Sequence, residues 1–238
     1  MMMRLISVLK RLIILISGKM AKLTISNEYA GSIEEITFGY LYNWYVASDP
    51  RLVANTGWRV PTYSDFDTLA TYAGGFSVAG DKLKDTAYWL TATGTNDYGF
   101  TARPTGQRSS VDGSFVNQFL RDYSWTSESL NEFTGRSLIL VDNTVSASVG
   151  NVSRGSGNNI RLVKESTSLS HGETGIYICN DGTALNTICI GTQEWLQDNL
   201  KETQYRNGDP IPVETDGTAW AALTTGARCV YDNDEDNA

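Results

Sequence analysis

Gly57-Trp58-Arg59-Val60-Pro61-Thr62, running on to Asp65, Phe66 and Leu69, is the stretch whose reading decides the fold. Gly57 to Pro61 makes a tight approach into a helix. Thr62 is a good N-cap and Asp65 stands three residues on, which predicts a capping box with Asp in place of the usual Glu. Phe66, Leu69, Ala70 and Ala73 then recur at helical spacing, and Gly74-Gly75 ends the helix by supplying left-handed backbone. Just upstream, residues 38–46 are aromatic and strand-like, with Tyr40, Tyr42 and Trp44 on one face by period two.

Outward from there, residues 77–86 add one helical turn around Leu83, and Ala87 to Gly157 reads as short β segments between Gly, Asn and Asp turns. Ser137–Val141 and Asn159–Val163 are the clearest strands. Lys164 to Gly175 is a polar bridge. A hairpin follows, 176–179 with 187–190, turning at Asp181-Gly182. Thr215 or Asp216 caps a second helix with Trp220 and Leu223 inward, and an acidic tail, Asp232 to Ala238, closes the chain.

A chain of 238 residues with 41% hydrophobic residues can bury a sizeable core. Six Trp, twelve Tyr and twenty-two Gly favour strands and shaped loops over a helical bundle. A net charge of -8 argues against nucleic acid as a partner, since phosphate neutralisation needs clustered Lys and Arg. Cys179, Cys189 and Cys229 make no metal-ligand spacing; free buried thiols are expected, with a Cys179–Cys189 bridge as the alternative. Met1 to Ile16 is basic and then apolar, and its apolar run is shorter than the ~20 residues that span a bilayer. Three readings of it stay open: a retained extension, with Met20 as a second start, an export leader, or an amphipathic docking helix. Residues 21–37 read as an arm or a short edge strand.

Seven motifs taken together carry a family resemblance. They are "GWRVPT…DF…L", "VAGDKLKDT", "YGFTARPTGQR", "NIRLVK", "IGTQEWLQDNL", "YRNGDPIP" and "DGTAWAALTTGA". This set resembles the Fibrobacter-type major paralogous domain, a family similar to the formylglycine-generating enzymes and to C-type lectin-like folds. The resemblance implies an α+β, C-type lectin-like fold with two helices, small antiparallel sheets and long loops. It also implies a circular permutation: residues 38–165 look like the second half of the domain and 176–238 like its first half. Residues 166–175 would bridge them and 1–37 would be an arm or leader. Completion within one chain and exchange between chains, giving a homo-oligomer, both stay open. The permuted arrangement looks like that of bacteriophage and phage-related adhesins, which implies a virion or cell-surface location.

The same resemblance tests for chemistry. Formylglycine-generating relatives need a cysteine pair late in the domain, and 38–165 contains none. The related iron enzymes need several histidines; this chain has one, His171, which reads as a solvated bridge residue. Asp232, Asp234 and Asp236 alternate like the start of a calcium loop, but the glycine at position six and the glutamate at twelve are missing. No catalytic residue, metal or cofactor is expected. Arg121 to Arg136 instead mixes aromatics with Ser, Asn and Arg, as adaptable recognition surfaces do. The expected ligand-binding residues are Tyr123, Trp125, Glu128, Asn131, Phe133, Arg136, Asp142, Asn143, Asn151 and Arg154. The expected function is non-catalytic adhesion to a bacterial surface glycan or protein. The alternative is an assembly protein that binds neighbouring virion or surface subunits.

Overall fold

A computed structural model describes residues 38–91 and 94–238. The arm, leader and edge-strand readings for 1–37 lie outside the described residues.

Asn43 divides the aromatic stretch in two. Its backbone N–H and its side-chain amide reach Ala227 O at 3.1 Å and Thr225 O at 2.8 Å, and its Oδ1 accepts from Ala227 N. Ahead of it, β1 (Leu41–Tyr42) is only two residues long. Behind it the chain coils into α1 (Trp44–Ala47). The continuous strand expected over 38–46 is therefore absent, and Trp44 leaves the face of Tyr40 and Tyr42.

After β2 (Trp58–Arg59) the capping box forms as its residues predict. Asp65 N donates to Thr62 Oγ1 at 3.3 Å, and Thr62 N donates to Asp65 Oδ2 at 2.7 Å. It opens α2 (Tyr63–Tyr72), whose Phe66, Leu69 and Ala70 are buried. Gly74 and Gly75, both at positive φ, stop the helix and let the chain re-enter as α3 (Phe76–Leu83).

Next come a two-residue ladder, β3 (Gln107–Arg108) with β4 (Phe115–Val116), and a three-stranded antiparallel sheet. That sheet is β5 (Arg121–Ser129), β6 (Thr134–Val141) and β7 (Ala147–Ser153) in order. The strand expected at Ser137–Val141 lies within β6. The one expected at Asn159–Val163 shrinks to β8 (Val163–Lys164). Residues 159–162 instead donate or accept singly: Trp125 N reaches Asn159 O, Leu200 N reaches Ile160 O and Leu196 N reaches Leu162 O.

The hairpin is longer than expected: β9 (Thr174–Ile178) and β10 (Ala184–Ile190) turn at Asp181-Gly182, with Gly182 at φ 91. Its register sets Thr187 opposite Gly175, so Cys179 and Cys189 lie at opposite ends, and all three cysteines are free and buried. With β11 (Gln193–Leu196) a five-stranded sheet forms in the order β2-β8-β11-β10-β9. The sheet curls into a half-barrel. Its edges approach where Asn55 Nδ2 reaches Ile178 O at 2.7 Å and Trp58 meets Tyr177 edge-on at 5.4 Å. Asp216 caps α4 (Gly217–Ala221), and β12 (Arg228–Cys229) returns to pair with β1.

Residues 38–238 form one compact unit. Sequence-distant parts share its sheets: β2 and β8 stand beside β11, β10 and β9, while Phe38 N donates to Asn237 O at 2.9 Å. One core packs Trp44, Trp58, Trp125 and Leu162 against Leu196 and Tyr205. A second packs α2 and α3 onto β6, with Phe66 stacked on Trp195 at 5.3 Å.

The expected α+β, two-helix, C-type lectin-like fold is overturned. The described residues are mostly β, with twelve strands in four sheets and four helices of ten residues or fewer. That expectation came from the family's supposed kin. The chain's own alternating segments, abundant aromatics and frequent glycine turns already leaned towards strands.

Candidate functional site

The inner and outer halves of β5 have opposite characters. Asp122 to Thr126 are buried, whereas the strand end and the turn that follows stand in solvent. The register with β6 runs regularly to Trp125↔Ser137 and then shifts before resuming at Ser129↔Gly135. In that bulge β5 leaves β6 and leans on the entry to α2. Ser127 N donates to Pro61 O at 2.8 Å, and Glu128 Oε2 accepts from Tyr63 N at 2.6 Å. A carboxylate there satisfies a first-turn N–H that has no partner within the helix.

Beyond the bulge the turn is tightly braced. Asn131 Oδ1 accepts from Phe133 N and Thr134 N, both at 2.9 Å, and from Thr134 Oγ1 at 3.0 Å. Arg154 N donates to Phe133 O at 3.0 Å, and Arg154 Nη2 reaches Asn131 O at 2.5 Å. The Arg154 guanidinium lies over the Trp44 ring at 4.4 Å, while Trp44 Nε1 donates to Thr126 O at 3.0 Å. Gly135 rests directly on that indole: a Cβ there would come within 2.2 Å of Trp44 Cδ1. On this fixed turn Phe133 is 71% exposed and Leu130 53% exposed. Apolar side chains held rigidly in water are the anchors that protein and glycan surfaces use, because little ordering entropy remains to be lost on binding.

The structure places the expected ligand-binding residues in four separate settings. Glu128, Asn131, Phe133, Arg136 and Arg154 gather around this turn, with Arg136 over the Tyr63 ring at 5.2 Å. Asn151, exposed on β7, sits opposite Arg136 in the ladder. Asn143 lies at the turn after β6, at the other end of the sheet.

Tyr123, Trp125 and Asp142 are corrections, for all three are buried. Trp125 Nε1 donates to Tyr42 O at 2.7 Å, and Tyr123 accepts from Arg121. Asp142 binds Thr91 through its backbone N and its hydroxyl. Leu130 was missed; a lone leucine in a polar turn was the available signal.

A 280 Å³ cleft opens beside the base of the same hairpin, with Ser127 and Thr62 on its wall. Its floor is apolar (Ala47, Val53, Val60), and Arg59, Arg206 and Glu165 contribute charge. Arg59 forms a two-pronged pair with Asp65 at 2.5 and 2.7 Å. Burial pushes the Asp65 carboxyl up, but the bonds from Arg59 and Thr62 outweigh it and hold the carboxyl below its ordinary value.

His171 is exposed in the bridge, as expected, and it also makes two contacts. Its Nδ1 accepts from Gly191 N at 3.3 Å, and its ring packs 5.0 Å from Tyr72. Among the described residues, no group of three or more His, Cys, Asp or Glu is placed to hold a metal ion. The acidic tail forms two short 3-10 turns in which Asp234 caps the second.

A family model described as the Fibrobacter succinogenes major domain matches residues 19–164, more than half of the chain. Comparison with curated proteins and with solved structures finds no match.

Proposed function

We propose that this chain, which belongs to the Fibrobacter succinogenes major domain family, is a non-catalytic binding module. Its ligand is a glycan or protein on a bacterial surface, and its setting is a virion, tail or cell-surface adhesin. The observation that carries the reading is the braced turn between β5 and β6, with Phe133 and Leu130 presented on a frame of Trp44, Asn131 and Arg154. Burying one such anchor contributes about 2 kcal/mol. Binding to whole bacterial cells is the test, comparing the parent with the Leu130→Ala, Phe133→Ala double variant. Both side chains stand in solvent, so the melting temperature should hold while apparent affinity falls about tenfold or more. Equal binding by the two proteins would remove the turn from the function.

A second reading, assembly with neighbouring subunits, draws support from β9. That strand is the edge of its sheet, and Ile176 and Ile178 on it are largely exposed. Apart from the Asn55 bond to Ile178 O, no strand pairs with this edge among the described residues, and exposed apolar edges recruit other strands. Light scattering decides this reading: a mass of one chain at working concentration speaks against it, and a dimer that Ile176→Lys returns to monomer supports it.

A further inference from the structure

The cleft at the base of the hairpin has a charge pattern that the apolar turn does not share. The protein carries a net charge of -8, yet two guanidiniums line this one small opening. Asp65 neutralises Arg59. Arg206 is different. Its Nε donates to Ala54 O at 2.7 Å, and its Nη2 donates to Asn55 O at 3.0 Å and Trp58 O at 3.2 Å. These bonds fix the plane of the guanidinium without touching its charge. Among the described residues Arg206 pairs with no carboxylate, and its Nη1 donates to none of them. A fixed guanidinium with no carboxylate bonded to it, beside an apolar floor, suits a carboxylate on a compact body with one apolar face. Ser127 and Glu165, also on the wall, supply a hydroxyl and a carboxylate that hydroxyl groups can pair with.

We propose that this cleft is a subsite for an acidic sugar residue of the surface ligand, of the uronic or sialic type. The sugar carboxylate pairs with Arg206. Its apolar ring face lies on Ala47, Leu52 and Val60, and its hydroxyls meet Glu165 and Ser127. The inference rests on the binding-module reading and names the chemistry of the ligand there. The wall shared with the braced turn makes the subsite continuous with it, since Ser127 is bonded to Pro61 and the next residue, Glu128, to Tyr63.

Leu52 supplies the test. It lies at the cleft, 47% exposed, with φ 61, a left-handed conformation that Asn and Asp adopt more easily than Leu. Leu52→Asn and Leu52→Asp should therefore both fold, and they differ by one negative charge at the opening.

Calorimetric titration compares uronic-acid oligosaccharides with the same oligosaccharides after carboxyl reduction. The parent should prefer the acidic form by about tenfold. Leu52→Asn should keep that preference and Leu52→Asp should lose it. Equal affinity for acidic and reduced forms overturns the subsite, as does a preference unchanged in Leu52→Asp. Binding of peptides with a free carboxyl terminus, but of no acidic saccharide, overturns the sugar class. Whole-cell binding that depends on Phe133 yet ignores sugar acidity leaves the binding module standing while the subsite falls. Loss of both is failure of the module itself.

Discussion

Asp122 is the residue with the sharpest physical signature. It is fully buried and held by Asn159 Nδ2 at 2.6 Å and Ser124 Oγ at 3.2 Å. Burial raises its carboxyl to about 6, against the pull of Arg161. A folded-state value above the unfolded one means that its contribution to stability is fully present below about pH 4 and lost as pH rises through about 6. Asp122→Asn stays neutral and can donate to Ser124 in place of accepting. Relative to the parent it should gain about 2 kcal/mol between pH 4 and pH 7, read from urea unfolding at each pH. A difference that is flat across that range would mean Asp122 is ionised throughout.

At this scale the sequence was legible wherever a side chain acts locally. Thr62, Asp65, Gly74 and Gly75 announce their roles through short-range rules of helix geometry. Trp125 and Tyr123 could not be told from surface aromatics. Their burial depends on Tyr42 and Asn159, partners brought in from far along the chain.

Among elements, the hairpin of β5 and β6 is defined by what lies beneath it. Its approach to α1 is set by Gly135, which leaves no room for a Cβ above Trp44. Gly135→Ala should push the strand off the indole and destabilise the protein by about 2 kcal/mol, measured by denaturant unfolding. The same shift should weaken ligand binding, because Arg154 and Asn131 brace the turn through that indole. A variant as stable as the parent would show that the hairpin floats free of α1.

The turn composition around Asn131 and Gly135 marks this hairpin as a candidate surface in the sequence itself. The bulge at 126–128 was not readable, since it exists to satisfy Pro61 O and Tyr63 N from another element. The strand expected over Asn159–Val163 failed for a related reason. Its backbone groups find partners one at a time in β5 and in the 196–200 stretch, so apolar alternation was present without a continuous ladder.

For the whole molecule, the decisive feature is that the five-stranded sheet and the β1–β12 ladder each take strands from both parts of the chain. Trp195 of β11 pairs with Val163 of β8, and Leu41 of β1 pairs with Cys229 of β12. The 165–173 segment that joins them carries little core, Leu169 being half-buried and most of its neighbours exposed. Fragments 1–168 and 169–238, co-expressed, should therefore copurify with a melting temperature below that of the intact chain, since joining them supplies a high effective concentration. Separate elution of two folded fragments would contradict a shared core.

Composition pointed to strands and shaped loops, and so did the final architecture. The lectin-like expectation came from the family's relatives, and the short helices and curled five-stranded sheet replace it. The most direct test of the central claim is a hydrogen-exchange footprint of the protein bound to bacterial envelope fragments. Protection concentrated at residues 128–135 and 152–155 is the predicted result. Binding with protection confined to β9, or absent from the turn, would contradict it.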